Sequence, residues 1–391
     1  MSDKKIVKIS AAKGRPMLTW VGKRPLGQVT AFPAQHIETF APSSARRGEK
    51  PHADDAELWR DWPGTYPRGG LLFHGDNKEV LAHLLANGFR GKVKLIYIDP
   101  PFDSGADYVR KVSLRGAKGT AKIDGQGYEL GEQIQYTDIW ANDNYLQFMY
   151  ERCLLLKELL SEDGSMYVHM DSNRGHAVKL VLDEILGPGS FQREIIWRIG
   201  WVSGFKSTAK NWIRNHDSIY FYSKDSSNFV FNKQYIPYAA GYVRRGGEAP
   251  DGPGYPIEDT WNCSTSDRMD SIQIVSFSSE KLDFPTQKNE SLLARILLAS
   301  SNPGDIVFDA FIGSGTTAAV AQKLGRHWIG CDINKGAIQT TSKRLQGIIV
   351  GQIDRDRAQE RLHLDRDHGF HFTDDHRATG TAGRDRQAED R

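Results

Sequence analysis

The sequence lacks three features that would place it in other classes of protein. None of its apolar runs is long enough to span a membrane, and the polar N-terminus, Met1-Ser2-Asp3-Lys4-Lys5, does not have the composition of a secretion signal. Its 391 residues include only three cysteines, Cys153, Cys263 and Cys331, which lie far apart without a CxxC pair. Such spacing is typical of reduced thiols and argues against a zinc site. We therefore expect a cytoplasmic protein that holds no metal.

The chain also lacks a large net charge, but its basic residues are unevenly distributed. The formal net charge is +2, whereas residues 1–50 carry ten Lys and Arg against three Asp and Glu, and residues 193–245 carry nine against three. Local basic segments in a nearly neutral chain indicate contact with a polyanion at particular places. For residues 1–50, an exposed basic face without a partner is an equally simple interpretation.

The apolar pattern predicts an α/β protein with irregular ends. A strand at 71–73, a helix and a second strand at 93–98 follow one another, which indicates parallel strands joined by a right-handed crossover. Further strands are predicted at 165–170, 194–197, 218–222, 305–309 and 327–332, and further helices at 143–160, 175–186, 289–300 and 316–324. Residues 1–65 show no sustained periodicity and predict a partly disordered basic arm. Residues 103–135 predict a long loop, and residues 351–391 predict a disordered charged tail.

The most informative segment is Asp99-Pro100-Pro101-Phe102, which ends the apolar run Val93–Ile98. The exocyclic amino group of a nucleobase is a poor nucleophile, because its lone pair is delocalised into the ring. The Asp99 carboxylate and the Pro100 carbonyl could each accept one of its N–H groups and direct the lone pair, and the prolines restrict the backbone that carries this carbonyl. Phe102 offers a flat face on which a flipped base could stack. Because Asp-Pro is also a common turn at strand ends, the tetrapeptide indicates methyl transfer only together with a cofactor site.

A candidate cofactor site follows about two hundred residues later. Residues 309–318 have the sequence Asp-Ala-Phe-Ile-Gly-Ser-Gly-Thr-Thr-Ala, which predicts a junction between a strand, a glycine loop and a helix. Glycines allow the backbone to approach a ligand closely, and the helix N-terminus adds oriented N–H groups. Asp332 ends the next predicted strand, where the hydroxyls of a bound ribose would lie.

Two classes of cofactor fit this loop. Gly313, Gly315 and Ala318 satisfy the pattern G-x-G-x-x-A, so a nicotinamide-dependent dehydrogenase is one alternative. Asp309 at the strand end favours S-adenosylmethionine instead, because its carboxylate could pair with the ammonium group of an amino acid. No set of hydride-transfer residues is recognisable around the loop, which also favours S-adenosylmethionine.

In combination, these motifs resemble the amino-group DNA methyltransferases. The resemblance is carried by Asp99–Phe102, Asp309–Thr317 and Pro285-Thr286-Gln287-Lys288, and it covers about residues 70–350. The order of the motifs is similar to that of the beta group. Several segments also resemble the modification subunits of type III restriction systems, namely Gly75–Asn77, Leu95–Phe102, Asp163–Asp171, His216–Lys224 and Asn302–Asp305. The resemblance implies a Rossmann-like, doubly wound α/β sheet with an inserted target-recognition region.

The resemblance also implies roles for individual residues. The catalytic residues would be Asp99, Pro100, Pro101 and Phe102. The cofactor would be bound by Asp76, Thr286, Gln287, Lys288, Asp309, Phe311, Gly313, Ser314, Gly315, Thr316 and Asp332. Of these, Asp332 would contact the ribose of the cofactor and Asp76 the amino group of its adenine. From the sequence alone, a helix cap is an equally simple role for Asp76, and an exposed surface position is the alternative for Lys288.

The activity implied by the resemblance is site-specific methylation of double-stranded DNA. The methyl group would pass directly to a flipped base without a covalent enzyme intermediate, so the protein would contribute positioning and electrostatics. The Asp that begins the tetrapeptide favours adenine N6 over cytosine N4, for which the family often has Ser. Cytosine-N4 methylation and a non-catalytic DNA-binding relative are the alternatives.

The basic segment 193–245 is the candidate contact for DNA, because it holds twelve aromatic residues in 53. Rings and cations alternate there, as stacking surfaces and phosphate contacts would: Trp197, Trp201, Lys206, Lys210, Trp212 and Arg214.

The implied organisation is a basic arm (1–65), a catalytic half (66–199), a target-recognition region (200–284), a cofactor-binding half (285–350) and a charged tail (351–391). A homodimer and a restriction subunit are left open as partners. Because the chain is short beside type III subunits, an orphan or phage-type enzyme is an equal alternative.

Overall fold

The structure is a computed structural model that describes the chain in segments. Backbone and side chains are described for residues 5–12, 17–40, 59–102, 144–198, 210, 212–243, 245, 247, 251–262, 280–282, 284 and 286–355. The backbone alone is described for four strands between 107 and 137 and for the end of a helix at 356–367. The chain divides into two compact units, Met1–Ile349 and Val350–Arg391.

Strands and helices alternate through most of the first unit. The strands are β1 (Lys5–Lys8), β2 (Gln28–Ala31), β3 (Gln35–Phe40), β4 (Gly70–His74), β5 (Val93–Ile98), β6 (Asp107–Lys111), β7 (Thr120–Ile123), β8 (Gln126–Glu129), β9 (Glu132–Thr137), β10 (Leu160–Met170), β11 (Phe191–Arg198), β12 (His216–Ser223), β13 (Tyr235–Ile236), β14 (Tyr255–Pro256), β15 (Thr260–Trp261), β16 (Ile306–Asp309) and β17 (His327–Asp332). The helices are α1 (Asn77–Ala86), α2 (Asn144–Leu159), α3 (Gly175–Leu186), α4 (Glu290–Ser300), α5 (Thr316–Lys323) and α6 (Lys335–Asp367).

Nine of the strands form the central sheet, in the order β15-β11-β12-β10-β5-β16-β17-β4-β3. The neighbours β10, β5, β16, β17 and β4 are all parallel, whereas β12 and β3 pair antiparallel with them. The carboxyl ends of the five parallel strands therefore lie along one edge of the sheet. The sheet confirms the predicted α/β class.

Helices cover both faces of this sheet, so it is doubly wound as predicted. Along β5, Val93, Ile96 and Ile98 belong to one buried core cluster, and Leu95 and Tyr97 belong to the other. Side chains of α1, α2 and α3 complete the first cluster, and those of α4, α5 and the beginning of α6 complete the second. A strand buried on both faces is a nearly continuous apolar run, which is why β5 is recognisable in the sequence.

The N-terminal region differs from the predicted arm. Strands β1 and β2 pair with each other, and β3 is an edge strand of the central sheet. Val7 and Trp20 are buried in the first core cluster, and Lys23 Nζ lies 2.6 Å from a carboxylate oxygen of Glu184 in α3. A partly disordered arm is therefore wrong for the described residues of this region. Their scattered apolar side chains are buried by contacts with distant helices, and local periodicity does not reveal such contacts.

Two further expectations are wrong over part of their length. In the segment predicted as a loop at 103–135, β6 pairs with β9 and β7 pairs with β8. In the second unit, α6 continues to Asp367, and Arg, Gln, Glu and Leu, which favour helices, make up nine of the seventeen residues 351–367. The rest of the predicted tail, 368–391, lies outside the described residues. None of the described helices combines the length and the apolar character needed to cross a membrane.

Candidate active site

The carboxyl ends of β5, β16 and β17 border one cavity of about 480 Å³. Strands β5 and β16 are neighbours in the sheet, so the tetrapeptide and the glycine loop, which are distant in sequence, meet at this cavity. The predicted residues that line it are Asp76, Asp99, Pro100, Pro101, Phe102, Thr286, Lys288, Asp309, Phe311, Gly313, Ser314, Thr316 and Asp332. The structure thus brings the two predicted motifs into one site.

The Asp99 carboxylate is held asymmetrically. Its Oδ2 forms an ion pair with the ammonium group of Lys288. Its Oδ1 is buried and has no hydrogen-bond partner among the described residues. The Lys288 side chain is only 12% exposed, so the alternative of a surface lysine is wrong. Its Nζ also lies 5.5 Å from the centroid of the Phe102 ring.

Asp309 is buried at the end of β16 and is bonded by the loop that follows it. The backbone N–H of Phe311 donates to Oδ1 at 2.9 Å, and the Thr317 hydroxyl donates to Oδ2 at 2.6 Å. The pKa of Asp309 is raised to about 7, mainly by burial; the nearby carboxylates of Asp99 and Asp332 contribute to this increase, and the two hydrogen bonds oppose it. A buried carboxyl group with this pKa would be stabilised in its ionised form by a ligand cation.

Asp332 organises the opposite side of the glycine loop. The backbone N–H groups of Gly313 and Asn334 donate to its two oxygens at 3.0 and 2.8 Å. Burial raises the pKa of this carboxyl group as well. A carboxylate can accept up to four hydrogen bonds, so Asp332 keeps acceptor capacity for a ligand hydroxyl.

Asp76 combines both roles that the sequence offered. Its Oδ1 accepts the backbone N–H of Lys78 at 2.7 Å, which caps α1. Both of its oxygens also accept from Arg152 Nη2, at 2.9 and 2.8 Å. The Arg152 guanidinium lies over the ring of Phe148, with its central carbon 3.6 Å from the centroid. Asp76 is therefore a helix cap whose side chain also borders the cavity.

Two predicted cofactor residues do not line the cavity. The Gln287 amide is used inside its own loop, where it accepts the Leu282 N–H at 2.8 Å and donates to the Glu280 carbonyl at 2.6 Å. Gly315 precedes α5 with φ of 78°, and a Cβ atom there would lie 2.8 Å from the Thr341 side chain. Both residues support the loops that form the cavity wall.

The predicted DNA contacts are only partly described. Lys206 and Trp201 lie outside the described residues, and Lys210 is exposed. Trp212 is 98% exposed, which suits a stacking surface. Trp197 is fully buried, so its proposed role as a stacking surface is wrong. Trp197 ends the strand predicted at 194–197 and follows Ile196, and this position in the sequence was the signal that its ring is packed in the core.

Arg214 is paired within the protein, although its side chain is 41% exposed. Its guanidinium forms an ion pair with the buried carboxylate of Asp217, and its Nε donates to the His216 carbonyl at 3.3 Å. Strand β12, which carries Asp217, belongs to the central sheet. The predicted recognition region at 200–284 therefore includes a core strand.

A buried polar chain beside Asp99 was missed from the sequence. His169 Nδ1 lies 2.9 Å from the hydroxyl of Tyr97, and His169 Nε2 lies 3.3 Å from Asp217 Oδ2. Burial lowers the pKa of His169 to about 3, so the imidazole is neutral. A carboxylate can only accept, so the proton lies on Nε2, and Nδ1 accepts the Tyr97 O–H. A histidine inside the apolar run of β10 was the available signal.

Comparisons with known proteins identify relatives of this chain. A family model for DNA methylases, N6_N4_Mtase, matches residues 93–343. Type II methyltransferase M.EcaI of Enterobacter cloacae is 28% identical over 330 residues, which cover 69% of this chain and 68% of the relative. DNA adenine methyltransferase YhdJ of Escherichia coli K12 is 28% identical over 276 residues, which cover 70% and 82%. The Mod subunit of the type III restriction-modification enzyme EcoP15I, from Escherichia coli, is 32% identical over 167 residues, which cover 41% and 25%.

Proposed function

Because this chain belongs to the DNA methylase family N6_N4_Mtase, we propose that it methylates adenine N6 in double-stranded DNA. Membership of the family determines the enzyme class. The chain is an S-adenosylmethionine-dependent DNA methyltransferase, and the dehydrogenase alternative is excluded. The choice of adenine and the roles of individual residues are the finer parts of the proposal.

The observation that carries the proposal is the unpaired Oδ1 of Asp99, which is buried beside the cavity that the glycine loop also lines. An unsatisfied buried acceptor costs free energy unless a ligand supplies a donor. The exocyclic amine of a flipped base has two N–H groups, one for Oδ1 and one for the Pro100 carbonyl. Phe102, which also lines the cavity, would stack on the same base.

The cavity residues fit S-adenosylmethionine by the chemistry of their donors and acceptors. Asp309 would pair with the ammonium group, and this pairing would compensate the burial that raises its pKa to about 7. Asp332 would accept from the ribose hydroxyls with the acceptor positions that Gly313 and Asn334 leave free. Asp76 accepts three hydrogen bonds within the protein and keeps one acceptor position for the adenine amino group of the cofactor.

In the proposed reaction the protein holds the amine and accepts its proton. When bound, S-adenosylmethionine would supply a methyl group already activated by its sulfonium, and its sulfur would keep the electron pair of the C–S bond. Asp99 Oδ1 and the Pro100 carbonyl direct the amine lone pair toward the methyl carbon. The proton that the amine loses as its N–C bond forms passes to Asp99 Oδ1. Such preorganised acceptors are worth roughly a hundredfold or more in rate.

Two observations favour adenine over cytosine. The tetrapeptide begins with Asp99, the residue type that the resemblance associates with adenine N6. YhdJ, 82% of whose length is covered by the match with this chain, is named a DNA adenine methyltransferase.

We extend the proposal to an enzyme that needs no restriction subunit or second copy for the chemistry, because one chain lines both the acceptor side and the cofactor side of the cavity.

Sequencing modified bases in DNA from a bacterial host that expresses this chain alone tests the proposal. We expect N6-methyladenine at one short sequence, and none in cells that express the Asp99→Ala variant. N4-methylcytosine instead would contradict the choice of adenine. DNA without either base, despite soluble protein, would contradict the activity or its independence of a partner.

A further inference from the structure

The two oxygens of Asp99 have different surroundings, although the carboxylate itself is symmetric. The Lys288 ammonium contacts Oδ2, and Oδ1 has no hydrogen-bond partner among the described residues. His169 Nδ1 lies 4.0 Å from Oδ1, beyond hydrogen-bond distance. The asymmetry therefore has two causes: Lys288 donates to Oδ2, and His169 does not donate to Oδ1.

His169 cannot donate to Asp99 in this arrangement. Its Nε2 carries the proton, which Asp217 Oδ2 accepts at 3.3 Å, and its Nδ1 accepts the hydroxyl of Tyr97 at 2.9 Å. Arg214 forms an ion pair with Asp217 and keeps that carboxylate an acceptor. His169 thus has no N–H to offer Oδ1, which has no hydrogen-bond partner among the described residues.

Lys288 is fixed in its place by the loop before α4. Its backbone carbonyl accepts the Thr316 hydroxyl at 2.9 Å, and Thr316 begins the helix that follows the glycine loop. The preceding residue, Gln287, is bonded on both sides of its amide to Glu280 and Leu282. The ammonium group therefore reaches Asp99 from an anchored backbone and is largely shielded from water.

We propose that Lys288 is a positioning residue for methyl transfer, which holds Oδ2 of Asp99 so that Oδ1 faces the target amine. The inference rests on the proposed function, and it replaces the cofactor-binding role that resemblance gave to Lys288. With Oδ2 occupied, the carboxylate cannot rotate about its terminal torsion to present both oxygens equally. A base that enters the cavity meets one acceptor of fixed direction. The lysine contacts neither the reacting nitrogen nor the methyl group.

The expected signature is a loss of turnover without a loss of cofactor affinity. Misplacement of a reacting group by about 1 Å can cost on the order of a hundredfold in rate. We therefore expect Lys288→Met to lower kcat by about 10- to 100-fold, with the dissociation constant of S-adenosylmethionine within about twofold of wild type. Lys288→Arg keeps a cation that can donate to Oδ2 and should recover part of the lost kcat.

The matched control is Lys323→Met. Lys323 also forms an ion pair with a carboxylate, Glu290, but neither residue lines the cavity. This variant should retain wild-type kcat. Calorimetric titration with S-adenosylmethionine and steady-state methylation of duplex DNA at saturating substrate concentrations give the two constants for each variant. Should Lys288→Met fail to fold, Lys288→Gln, which retains an N–H donor without the charge, takes its place.

Two kinetic results would overturn the proposal. One is a Lys288→Met enzyme with wild-type kcat and weakened cofactor binding, which would return the residue to the cofactor site. The other is a variant with both constants unchanged.

A thermal-unfolding cycle over Lys288→Met, Asp99→Ala and the double variant separates this inference from the proposed function. If the ion pair exists, the two single changes in Tm are not additive. Additive changes would remove the ion pair and the inference with it. A wild-type protein that methylates no DNA would contradict the proposed function, while the cycle would still report the pair.

Discussion

The carboxylates at the ends of β5 and β16 are supported in opposite ways. Asp309 is bonded at both oxygens by the loop that follows it, through the Phe311 N–H and the Thr317 hydroxyl. Asp99 is bonded at one oxygen, by Lys288 from another part of the chain, and its second oxygen has no hydrogen-bond partner in the part of the chain that the structure describes. A cofactor has a constant shape, so a self-supporting loop suits its binding. The acceptor base must enter and leave at each turnover, and the open hydrogen-bond position is on that side.

The largest effect that tests this difference between Asp99 and Asp309 is expected for the Asp99→Ala variant. We expect methylation to fall by about a hundredfold or more, because the variant loses the acceptor that directs the amine. Cofactor affinity should persist, since the cofactor side is held by its own loop. Calorimetry with S-adenosylmethionine and a tritiated-methyl assay on duplex DNA measure the two effects. Residual activity above about one per cent of wild type would contradict the catalytic role.

Removal of a carboxylate on the cofactor side should instead weaken the binding of the cofactor. If Asp332 binds the ribose as proposed, Asp332→Ala would lose a charge-assisted hydrogen bond, and cofactor affinity should weaken by about 1–3 kcal/mol. Because Gly313 and Asn334 also lose their acceptor, the Tm of the free protein should fall as well. Thermal shifts with S-adenosylmethionine and with NAD provide the control. A wild-type protein stabilised by NAD and not by S-adenosylmethionine would contradict the cofactor assignment.

The sequence predicted the part of the site that depends on strand ends. Asp99, Asp309 and Asp332 each follow an apolar run directly, and parallel strands bring such residues to one edge of the sheet. The chain from Tyr97 through His169 to Asp217 could not be predicted, because it depends on the pairing of β10 with β5 and β12 and on which face each side chain occupies. The role of Gln287 inside its loop depends equally on tertiary contacts.

The fold was predictable where one element has its own periodicity. Strands β4, β5, β16 and β17 and helices α2 to α5 were predicted with bounds close to the observed ones, for example Gly175–Leu186. Strand β10 begins five residues before its predicted start, and α6 was not predicted. The N-terminal strands were not, because Trp20 is buried by the Tyr150 ring, 5.7 Å away between centroids, and not by its sequence neighbours. The hairpins within 103–135 were missed for lack of a clear alternation. When a side chain is buried by segments that are distant in sequence, the local pattern of apolar residues does not reveal its burial.

The cofactor side should also respond to pH through Asp309. Mainly because of burial, the pKa of Asp309 in the folded protein is raised to about 7 from its ordinary value of 3.8, so in the free enzyme the carboxyl group is protonated between these limits. The native state then binds more protons than the unfolded state, and stability falls as pH rises across that window. If the ammonium of S-adenosylmethionine pairs with the ionised form, affinity should rise by up to about tenfold per pH unit below 7 and then level off.

Calorimetry between about pH 5 and 7.5 checks this dependence. Asp309→Asn supplies the control, since its amide does not titrate and its affinity should be low and flat over the same range. An equally flat profile for the wild type would show that Asp309 binds no cation, and the comparison with Asp99 would lose its basis.

The smallest effect concerns DNA contacts outside the cavity, where Lys210 and Arg214 form a matched pair. Lys210 is exposed, whereas Arg214 is paired with the buried Asp217. A phosphate contact contributes about 0.9 to the slope of log affinity against log salt. We therefore expect Lys210→Gln to lower the slope by about 0.9, while Arg214→Gln leaves the slope unchanged and lowers Tm, because Asp217 loses its partner. Duplex binding measured between about 50 and 200 mM salt gives both slopes. If Lys210→Gln keeps the wild-type slope and loses discrimination between sequences, Lys210 contacts bases; if neither property changes, it lies outside the DNA interface.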